Sequence, residues 1–373
     1  MLTFNQLSYW EKQTYINHTD YLIIGSGIVG LSSAFYLKER FPTKKVTIIE
    51  RGFLPTGASS KNAGFSCIGS PSELLDDLNT NSEEEVFKTV EKRWKGLLNL
   101  RSLLGDTKID YQSNGSYELF SDNSFKNSLD KLDYLNQKLE QITQIKNVFS
   151  VDKSIIENSK FNGFSNAISH KAEGQIDTGK MINNLFKLAI EKDVVILNGI
   201  EAREILSKTE LLTNKGRINF NKLLICTNGF AKHLLPKEDI LPARAQVLIT
   251  KPIYNLKFKG IFHFDKGFYY FRNINNRVLF GGGRQLNIEG ETTTEFENTD
   301  LITSNLERLL DKKILPISDF EIDYAWSGIM GVGAKKTPII KQISKHIFCG
   351  VRLGGMGVAI GSLVGKELAE LVD

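Results

Sequence analysis

The amino-acid sequence predicts an α/β fold in which a parallel sheet, flanked by helices, is combined with a second, largely antiparallel sheet. Two observations support this prediction. Residues 21–50 read as strand, glycine-rich turn, helix and strand, the order of a parallel βαβ unit. Residues 236–325 are instead rich in short strands, among them 246–250, 267–272 and 277–281, with one helix near 299–312. That second pattern is typical of an antiparallel α+β region.

The βαβ unit carries the pattern of a dinucleotide-binding site. An apolar strand at 21–24 is followed by Gly25, Gly27 and Gly30 at the G-x-G-x-x-G spacing. The first glycine permits a tight turn, the second lets a pyrophosphate approach the backbone, and the third lets the helix pack closely. Glu50 ends the second strand, twenty residues after Gly30, where a carboxylate can accept hydrogen bonds from ribose hydroxyls. The sequence therefore predicts a bound dinucleotide, and the alternative is a glycine-rich turn without a ligand.

Composition places the chain among ordinary globular proteins. It has 373 residues, 41% of them hydrophobic, and a net charge of +4 from 47 basic and 43 acidic residues, without the basic stripe typical of nucleic-acid binding. Cys67, Cys226 and Cys349 are far apart, so neither a metal site nor a redox dithiol is predicted. No signal peptide and no membrane-spanning window is evident. We expect a cytoplasmic protein, and peripheral membrane association stays open.

The order of the elements predicts two discontinuous domains. A long loop of small and polar residues at 51–65 precedes two helices, at 82–104 and 124–145. The chain then returns to the first sheet near 226 and ends in a strand, a glycine loop and a helix. We assign residues 1–81, 151–235 and 326–373 to the nucleotide-binding domain, and residues 82–150 and 236–325 to an interleaved substrate domain.

Six motifs in a fixed order resemble the FAD-dependent D-amino-acid oxidase superfamily over nearly the whole chain. They are Gly25-x-Gly27-x-x-Gly30 with Glu50, Gly57-Ala58-Ser59-Ser60-Lys61-Asn62-Ala63-Gly64, Thr227-Asn228-Gly229, Pro242-x-Arg244-x-Gln246, Trp326-Ser327-Gly328 followed by Thr337-Pro338, and the loop with Gly354, Gly355 and Gly357. The chain is similar to the glycine-oxidase-like branch and to γ-glutamylputrescine-oxidase-like and D-amino-acid-dehydrogenase-like members. The resemblance implies a Rossmann-like FAD-binding domain of the glutathione-reductase type.

The resemblance also implies oxidation of a C–N bond. Hydride transfer from a carbon that bears an amine to flavin N5 would give an imine, which hydrolyses in water, and oxygen or a quinone would take the electrons. The implied substrate is a small amine or amino acid. FAD is expected to be non-covalently bound, because no cysteine lies between 326 and 338, where related sarcosine oxidases attach the ring. The residues expected to contact FAD are Gly25, Gly27, Ile28, Val29, Gly30, Glu50, Arg51, Ser59, Ser60, Lys61, Asn62, Ala63, Thr227, Gly229, Gly354, Gly355, Met356, Gly357 and Val358.

Two positions match substrate-facing residues of the family. They are Tyr269, on the first strand of a hairpin, and Arg284, just after the second strand. Tyr270 takes the place of Tyr269 if the register differs by one residue. Met330 stands where the glycine-oxidase branch has an arginine that binds the substrate carboxylate, so Arg284 is predicted to bind an anionic group instead. No histidine is required for this chemistry, and His263 is the one next to the predicted substrate strands.

Two other functions stay open from the sequence. A flavin monooxygenase shares the first βαβ unit, but would have a G-D-A-type loop and an Asp-Gly pair where this chain has Gly350-Val351-Arg352 and Asn228-Gly229. A non-catalytic assembly or scaffold protein that binds FAD is the other alternative, because Met330 departs from the family pattern. Flavin reduction by an amine without oxygen would indicate the oxidase, and reduction by NADPH would indicate the monooxygenase.

Overall fold

The computed structural model describes residues 3–121 and 124–373. Its helices are α1 (Tyr9–Glu11), α2 (Ile28–Arg40), α3 (Pro71–Leu78), α4 (Glu83–Leu104), α5 (Asp106–Ile109), α6 (Ser124–Asp130), α7 (Leu132–Thr143), α8 (Ser154–Ser159), α9 (Thr178–Glu191), α10 (Asp300–Leu309) and α11 (Gly357–Glu370). Its strands are β1 (Thr19–Ile24), β2 (Val46–Glu50), β3 (Phe65–Ser66), β4 (Ser116–Phe120), β5 (Phe149–Val151), β6 (Asn166–His170), β7 (Gly174–Gln175), β8 (Val195–Asn198), β9 (Ala202–Ser207), β10 (Glu210–Thr213), β11 (Gly216–Ile225), β12 (Leu241–Thr250), β13 (Ile261–Phe264), β14 (Tyr269–Ile274), β15 (Arg277–Gly282), β16 (Ile322–Val332), β17 (Ile339–Ser344) and β18 (Ile347–Val351).

The first sheet has the strand order β17-β18-β11-β1-β2-β8, with β9 and β10 attached to the start of β11. The strands from β18 to β8 are parallel to one another, and β17 is an antiparallel edge strand. Helices α2, α9 and α11 cover one face, while side chains from β9 to β11 and the segment 231–240 cover the other. Burial on both faces explains why β1 and β2 have continuous apolar sequences.

Helices α2 and α11 lie close together because small residues face each other. A Cβ atom on Gly365 would lie 2.6 Å from the Ser32 Cβ atom, and one on Gly361 would lie 2.9 Å from a methyl carbon of Ile28. Ile28 pairs with Gly361 and Ser32 pairs with Gly365, so the two helices run in the same direction and their N-termini lie side by side. Helix α2 begins at Ile28, directly after the glycine turn, as the sequence predicts.

The second sheet has the order β16-β12-β15-β14-β13-β4-β6-β5, and every neighbouring pair is antiparallel except β13 with β4. One face packs against α10 through an aromatic core that includes Phe262, Phe271 and Phe280. The opposite face carries Val247 and Leu279, which pack with Ala63 of the loop that follows β2. The predicted combination of a parallel and a largely antiparallel sheet is therefore confirmed.

Strand pairing departs from the predicted domain limits. Strand β6 lies within the segment 151–235, predicted for the nucleotide-binding domain, but pairs with β4 and β5 in the antiparallel sheet. Strand β16 crosses the predicted limit at 326 and pairs with β12 along its length. Helix α4, predicted for the substrate domain, packs on α11, since a Cβ atom on Gly96 would lie 2.3 Å from the Ala359 carbonyl oxygen. The division into domains stays a prediction, and these contacts favour different limits.

Two further sequence predictions can be compared with the helices. The helix predicted at 82–104 is present as α4, with Ser82 accepting a hydrogen bond from the Glu85 backbone N–H. The single helix predicted at 124–145 is instead two helices, because α6 and α7 are separated at Lys131, and α7 ends at Thr143 with the following Gln144 in a left-handed conformation. Within residues 3–121 and 124–373, no helix is both long and apolar enough to cross a membrane.

Candidate active site

A cavity of about 430 Å³ lies at the carboxyl ends of β1 and β2 and reaches the antiparallel sheet. On the side of the parallel sheet it is lined by Glu50, Arg51 and Glu201. On the side of the antiparallel sheet it is lined by Tyr270 and Arg284, among others. The loops at 56–63 and 353–358 also contribute to its wall. This location agrees with the rule that open parallel sheets bind ligands beyond the carboxyl ends of their strands.

The glycine turn brings backbone, rather than side chains, to the cavity. Gly25 has φ +102°, a conformation that L side chains rarely adopt. A Cβ atom on Gly30 would lie 1.9 Å from the Gly25 carbonyl oxygen, so this glycine lets α2 start directly beneath the turn. The cavity is lined by Gly25, Gly27, Ile28 and Val29. Gly30 does not line it, and its role is to allow the helix to pack against the turn.

Glu50 is buried and its carboxylate connects the two loops beside the cavity. One oxygen accepts hydrogen bonds from the backbone N–H and the hydroxyl of Ser26, at 3.1 and 3.0 Å. The other accepts from the Gly52 backbone N–H at 3.2 Å and the Thr56 hydroxyl at 3.0 Å. The neighbouring Arg51 guanidinium lies 3.7 Å from the centroid of the Phe230 ring. Glu50 is thus fixed in orientation at the end of β2, where the sequence predicts the ribose-binding acid.

The segment 58–63 supports the turn from the opposite side. The Ser59 hydroxyl accepts a hydrogen bond from the Ile28 backbone N–H at 3.0 Å. The Lys61 carbonyl oxygen accepts one from the Trp326 indole at 2.9 Å, which explains the predicted Trp-Ser-Gly motif. Asn62 and Ala63 line the cavity with Ser59 and Lys61. Ser60 does not, because its hydroxyl donates to the Pro55 carbonyl oxygen at 2.6 Å within its own loop.

The segment after β11 supplies the cavity with a polar group that has no protein partner among the described residues. Thr227 lines the cavity, and its hydroxyl oxygen is buried without a hydrogen-bond partner in the described part of the chain. Gly229 does not reach the cavity, because a Cβ atom there would lie 2.4 Å from the Met330 carbonyl oxygen. Gly229 therefore permits the approach of β16, and Thr227 has an unused hydrogen-bonding group for a ligand.

The C-terminal glycine loop places a second helix N-terminus at the cavity. Residues 353–358 all line it, and α11 begins at Gly357 without a side-chain hydrogen bond from Met356, which precedes it. Gly354 has φ +58°, and no atom lies within 4 Å of a Cβ atom placed there. The first N–H groups of a fourteen-residue helix are thus available to an electronegative ligand group.

These features fit FAD. The cavity has two helix N-termini for anionic or electron-rich groups, a buried carboxylate at the end of β2, and a buried hydroxyl at Thr227 that lacks a partner. In addition, a Cβ atom on Gly27 would lie 2.8 Å from the Ser59 hydroxyl, so only glycine leaves the backbone free there. Bound FAD would be held by these groups.

Tyr270, and not Tyr269, reaches the cavity from β14. The Tyr269 ring stacks on Phe264 with centroids 5.0 Å apart, and its hydroxyl accepts a hydrogen bond from Asn305 at 3.0 Å, on the α10 side of the sheet. Adjacent residues of a strand point to opposite faces, so Tyr270 lines the cavity. Burial raises the pKa of Tyr270 to about 12. This placement favours Tyr270, the alternative register of the sequence prediction, as the substrate-facing residue.

Arg284 lies where the sequence predicts a substrate-binding cation. It follows β15, lines the cavity and donates a hydrogen bond to the Thr292 hydroxyl at 3.3 Å. Its Nε atom is buried without a hydrogen-bond partner among the described residues. Burial lowers the pKa of its guanidinium, and Glu291 acts in the opposite direction. Met330 also lines the cavity, so the position of the family's arginine is apolar here.

The Pro-x-Arg-x-Gln motif supports the loop after Arg284 rather than the cavity. Arg244 makes a buried bidentate ion pair with Glu291, with N···O distances of 2.7 and 2.8 Å. Gln246 exchanges hydrogen bonds with Thr299, at 2.9 Å from its amide and 2.8 Å to its oxygen. Both side chains leave β12 on the face opposite to Val247. The motif therefore fixes the segment that contacts Arg284.

Among the residues that line the cavity near the antiparallel sheet and that the sequence did not single out are Phe65, Cys67 and Glu73. Glu73 forms the capping box of α3 with Ser70, a sequence pattern that indicates the start of a helix and not a cavity residue. Burial raises the pKa of Cys67 well above its usual range, and Glu173 adds to this effect. Because the thiolate is the reactive form of cysteine, this direction supports the predicted non-covalent linkage of FAD.

Comparisons with known proteins identify the family. Residues 20–371 match the family model described as "FAD dependent oxidoreductase". The chain is 24% identical to a probable oxidoreductase, OrdL, of Haemophilus influenzae, over 99% of this chain and 86% of that protein. It is 22% identical to the γ-glutamylputrescine oxidoreductase of Escherichia coli, over 95% of this chain and 83% of that protein.

Solved structures confirm the fold. Glycine oxidase from Geobacillus kaustophilus has a TM-score of 0.76 and 19% identity, covering 95% of this chain and 94% of that one. L-proline dehydrogenase from P. horikoshii has a TM-score of 0.74 and 18% identity, covering 95% and 93%. The predicted fold is thereby confirmed, and the description of the matched family model confirms the predicted FAD. Because the family model spans nearly the whole sequence, the chain belongs to the FAD-dependent oxidoreductases of the D-amino-acid oxidase family.

Proposed function

We propose that this enzyme oxidises the C–N bond of a small amine or amino acid that also carries an anionic group. The observation that carries the proposal is Arg284, a half-buried guanidinium on the cavity wall whose Nε atom has no hydrogen-bond partner among the described residues. A buried donor without a partner costs free energy. A substrate carboxylate would satisfy it through a bidentate contact.

The chain's own residues have three roles in this proposal. Glu50, Ser59, Thr227 and the N-terminus of α11 hold the cofactor. FAD supplies the acceptor for the hydride that leaves the carbon bearing the amine, and the resulting imine hydrolyses in water. Arg284 binds the anionic end of the substrate, and Tyr270 forms part of the wall of the same cavity. Oxygen or a quinone as electron acceptor, and a cytoplasmic location, stay predictions.

The names of the relatives support an amine substrate with a carboxylate. They include a γ-glutamylputrescine oxidoreductase, a glycine oxidase, an L-proline dehydrogenase and an iminodiacetate oxidase. Each of the four compounds named carries both an amine and a carboxylate. In glycine, L-proline and iminodiacetate a single carbon separates the amine nitrogen from the carboxylate, whereas the terminal amine of γ-glutamylputrescine lies far from its carboxylate, so the panel compares a short with a long separation of the two groups.

The test is an anaerobic screen for bleaching of the bound flavin. The panel contains glycine, L-proline, iminodiacetate and γ-glutamylputrescine, with putrescine as the matched amine that lacks a carboxylate. We expect at least one carboxylate-bearing compound to bleach the flavin faster than putrescine. Reduction by NADPH with no response to any amine would replace the proposal by a monooxygenase, and no reduction by any compound would support a scaffold role.

Substitution of Arg284 tests the residue that carries the proposal. Arg284→Ala should lower the second-order rate constant with which an acidic substrate reduces the flavin. The loss should correspond to about 2–5 kcal/mol of transition-state binding free energy, and the FAD content should stay normal. Arg284→Lys should restore only part of the rate, because a point charge does not reproduce the planar guanidinium. Arg308→Ala is the control, since Arg308 is exposed and contacts Asn305 on the other face of the sheet. An unchanged rate in Arg284→Ala would remove the anionic group from the proposal.

A further inference from the structure

Three ionisable side chains form a row across the antiparallel sheet beside the cavity. His263 on β13 lies opposite Glu118 on β4 and opposite Tyr270 on β14, so the three side chains leave the same face of the sheet. His263 and Tyr270 line the cavity, and Glu118 lies behind them. The proposed binding of the substrate carboxylate by Arg284 uses neither His263 nor Glu118.

Glu118 is a buried carboxylate held by the first turn of α3. It is 2% exposed. One oxygen accepts a hydrogen bond from the Ser72 backbone N–H at 3.1 Å, and the other accepts one from the Ser72 hydroxyl. Burial raises the pKa of Glu118 to about 7, while His263 and Ser72 act in the opposite direction. A charge on His263 would therefore favour the ionised form of Glu118.

His263 has free hydrogen-bonding capacity toward the cavity. It is 6% exposed, and its imidazole ring makes no hydrogen bond to any residue of the described ranges, whereas its backbone pairs within the sheet. The titratable groups that face it from the surrounding elements are Glu118 on β4, Tyr270 on β14, Glu73 on α3, His170 on β6 and Glu173 just before β7. An imidazole that is buried, unpaired and open to a substrate cavity is placed to exchange a proton with a ligand.

The other groups around His263 are already engaged or are unsuited to accept a proton. Glu173 accepts hydrogen bonds from the backbone N–H groups of Ile68 and Gly69 and from Ser116, at 2.7, 3.0 and 2.7 Å. His170 is buried, and burial lowers its pKa, while its Nδ1 accepts from the Ala172 N–H. One oxygen of Glu73 accepts from the Ser70 N–H in the capping box. His263 is thus the best-placed acceptor, and Glu73 is the competing one.

We propose that His263 accepts the proton of the substrate ammonium group and that Glu118 is the positioning residue that stabilises the resulting imidazolium. The proposal rests on the proposed function, because it needs an amine substrate. In the step, one N–H bond of the ammonium breaks, its electron pair stays on nitrogen, and the proton goes to an imidazole nitrogen. At neutral pH an alkyl amine is largely protonated, and the ammonium group that results has no lone pair on nitrogen. The neutral amine has the lone pair that the loss of hydride from the adjacent carbon requires.

The pH profile of anaerobic flavin reduction tests the role of His263, with the fastest compound of the panel as substrate. In His263→Gln we expect the rate near neutral pH to fall by about 10²- to 10⁴-fold, and to recover as rising pH deprotonates the amine in solution. In Glu118→Gln the rate of flavin reduction should fall less and should recover over the same pH range. Glu73→Gln should keep the wild-type profile, and His346→Gln is the control, since His346 is a half-buried histidine outside the cavity whose Nδ1 bonds the Asn221 backbone carbonyl at 2.9 Å. A wild-type rate in His263→Gln, or a loss that pH does not restore, would overturn the proposal.

A second measurement does not depend on turnover. The holoenzyme is labelled with carbon-13 histidine and titrated with 2-aminoisobutyrate or tert-butylamine, which lack a hydrogen on the carbon that bears the amine. The resonance that is absent from His263→Gln should move to the imidazolium position on binding, and should not do so in Glu118→Gln. If binding perturbs the flavin absorbance but leaves this resonance unchanged, the inference fails and the proposed function stands. If no amine of the panel reduces or perturbs the flavin, the proposed function itself fails.

Discussion

The two sides of the cavity are built in different ways. On the side of the parallel sheet, the wall of the cavity is formed by short consecutive segments that bring their backbone close, namely the turn at 25–29, the loop at 57–63 and the start of α11, with Glu50 as the buried charge. On the side of the antiparallel sheet, side chains from separate strands meet, such as Glu118, His263 and Tyr270. We propose that the first arrangement binds the cofactor and that the second sets the choice of substrate.

The difference predicts how each side responds to mutation. Backbone contacts fail when a side chain is added, because the space is already filled by main-chain atoms. Side-chain contacts fail when an atom is removed, and the fold is then retained. Substitutions on the cofactor side should therefore change folding and FAD content, and those on the substrate side should change rates.

Gly30→Ala should have the largest effect. Its Cβ atom would lie 1.9 Å from the Gly25 carbonyl oxygen. That oxygen belongs to the main chain of the turn, so it cannot move away as a flexible side chain could. We expect a loss of stability of about 3 kcal/mol or more, with little FAD in the purified protein. Chemical unfolding and the ratio of flavin to protein absorbance measure the two effects.

Gly179→Ala is the matched control for that substitution. Gly179 also lies in the first turn of a helix, α9, but it is exposed, and the nearest atom to its Cβ position is a side-chain oxygen of Asp177 at 3.3 Å. We expect a change within about 1 kcal/mol, since alanine favours helix over glycine. Equal effects of the two substitutions would contradict the close packing assigned to the turn.

Glu50→Ala should weaken FAD binding without abolishing the fold. Loss of the charge-assisted hydrogen bonds to the ribose should cost about 1.5–3 kcal/mol, or about ten- to hundred-fold in affinity. Glu50→Gln keeps the shape and should lose part of this. Titration of the apoprotein with FAD gives the affinities, and Glu201→Gln, an exposed acid at the same side of the cavity, is the control. Equal affinity of Glu50→Ala and the wild type would show that the acid does not contact the ribose.

The sequence could predict the cofactor side because its signals are local. Gly25, Gly30 and Glu50 are read from one stretch of thirty residues, and β1, α2 and β2 appear in the predicted order. The substrate side could not be predicted to the same degree. Tyr269 and Tyr270 are adjacent aromatic residues, so the residue that faces the cavity depends on how β14 pairs with β13 and β15. The neighbourhood of His263 and Glu118 depends on a parallel pair, β13 with β4, whose strands are far apart in the chain.

The two adjacent tyrosines provide the finest test of the comparison, since they belong to the same strand and differ only in the face they occupy. Tyr269→Phe removes the hydrogen bond to Asn305 and should lower stability by about 0.5–1.5 kcal/mol, a shift of about 1–4 °C in melting temperature, while the rate of flavin reduction stays at the wild-type value. Tyr270→Phe removes a hydroxyl that has no hydrogen bond within the described part of the chain. Its melting temperature should therefore stay near that of the wild type while KM or the rate of flavin reduction changes. If the two variants exchanged these results, the register of β14 would differ from the one described, and Tyr269 would be the residue that faces the substrate.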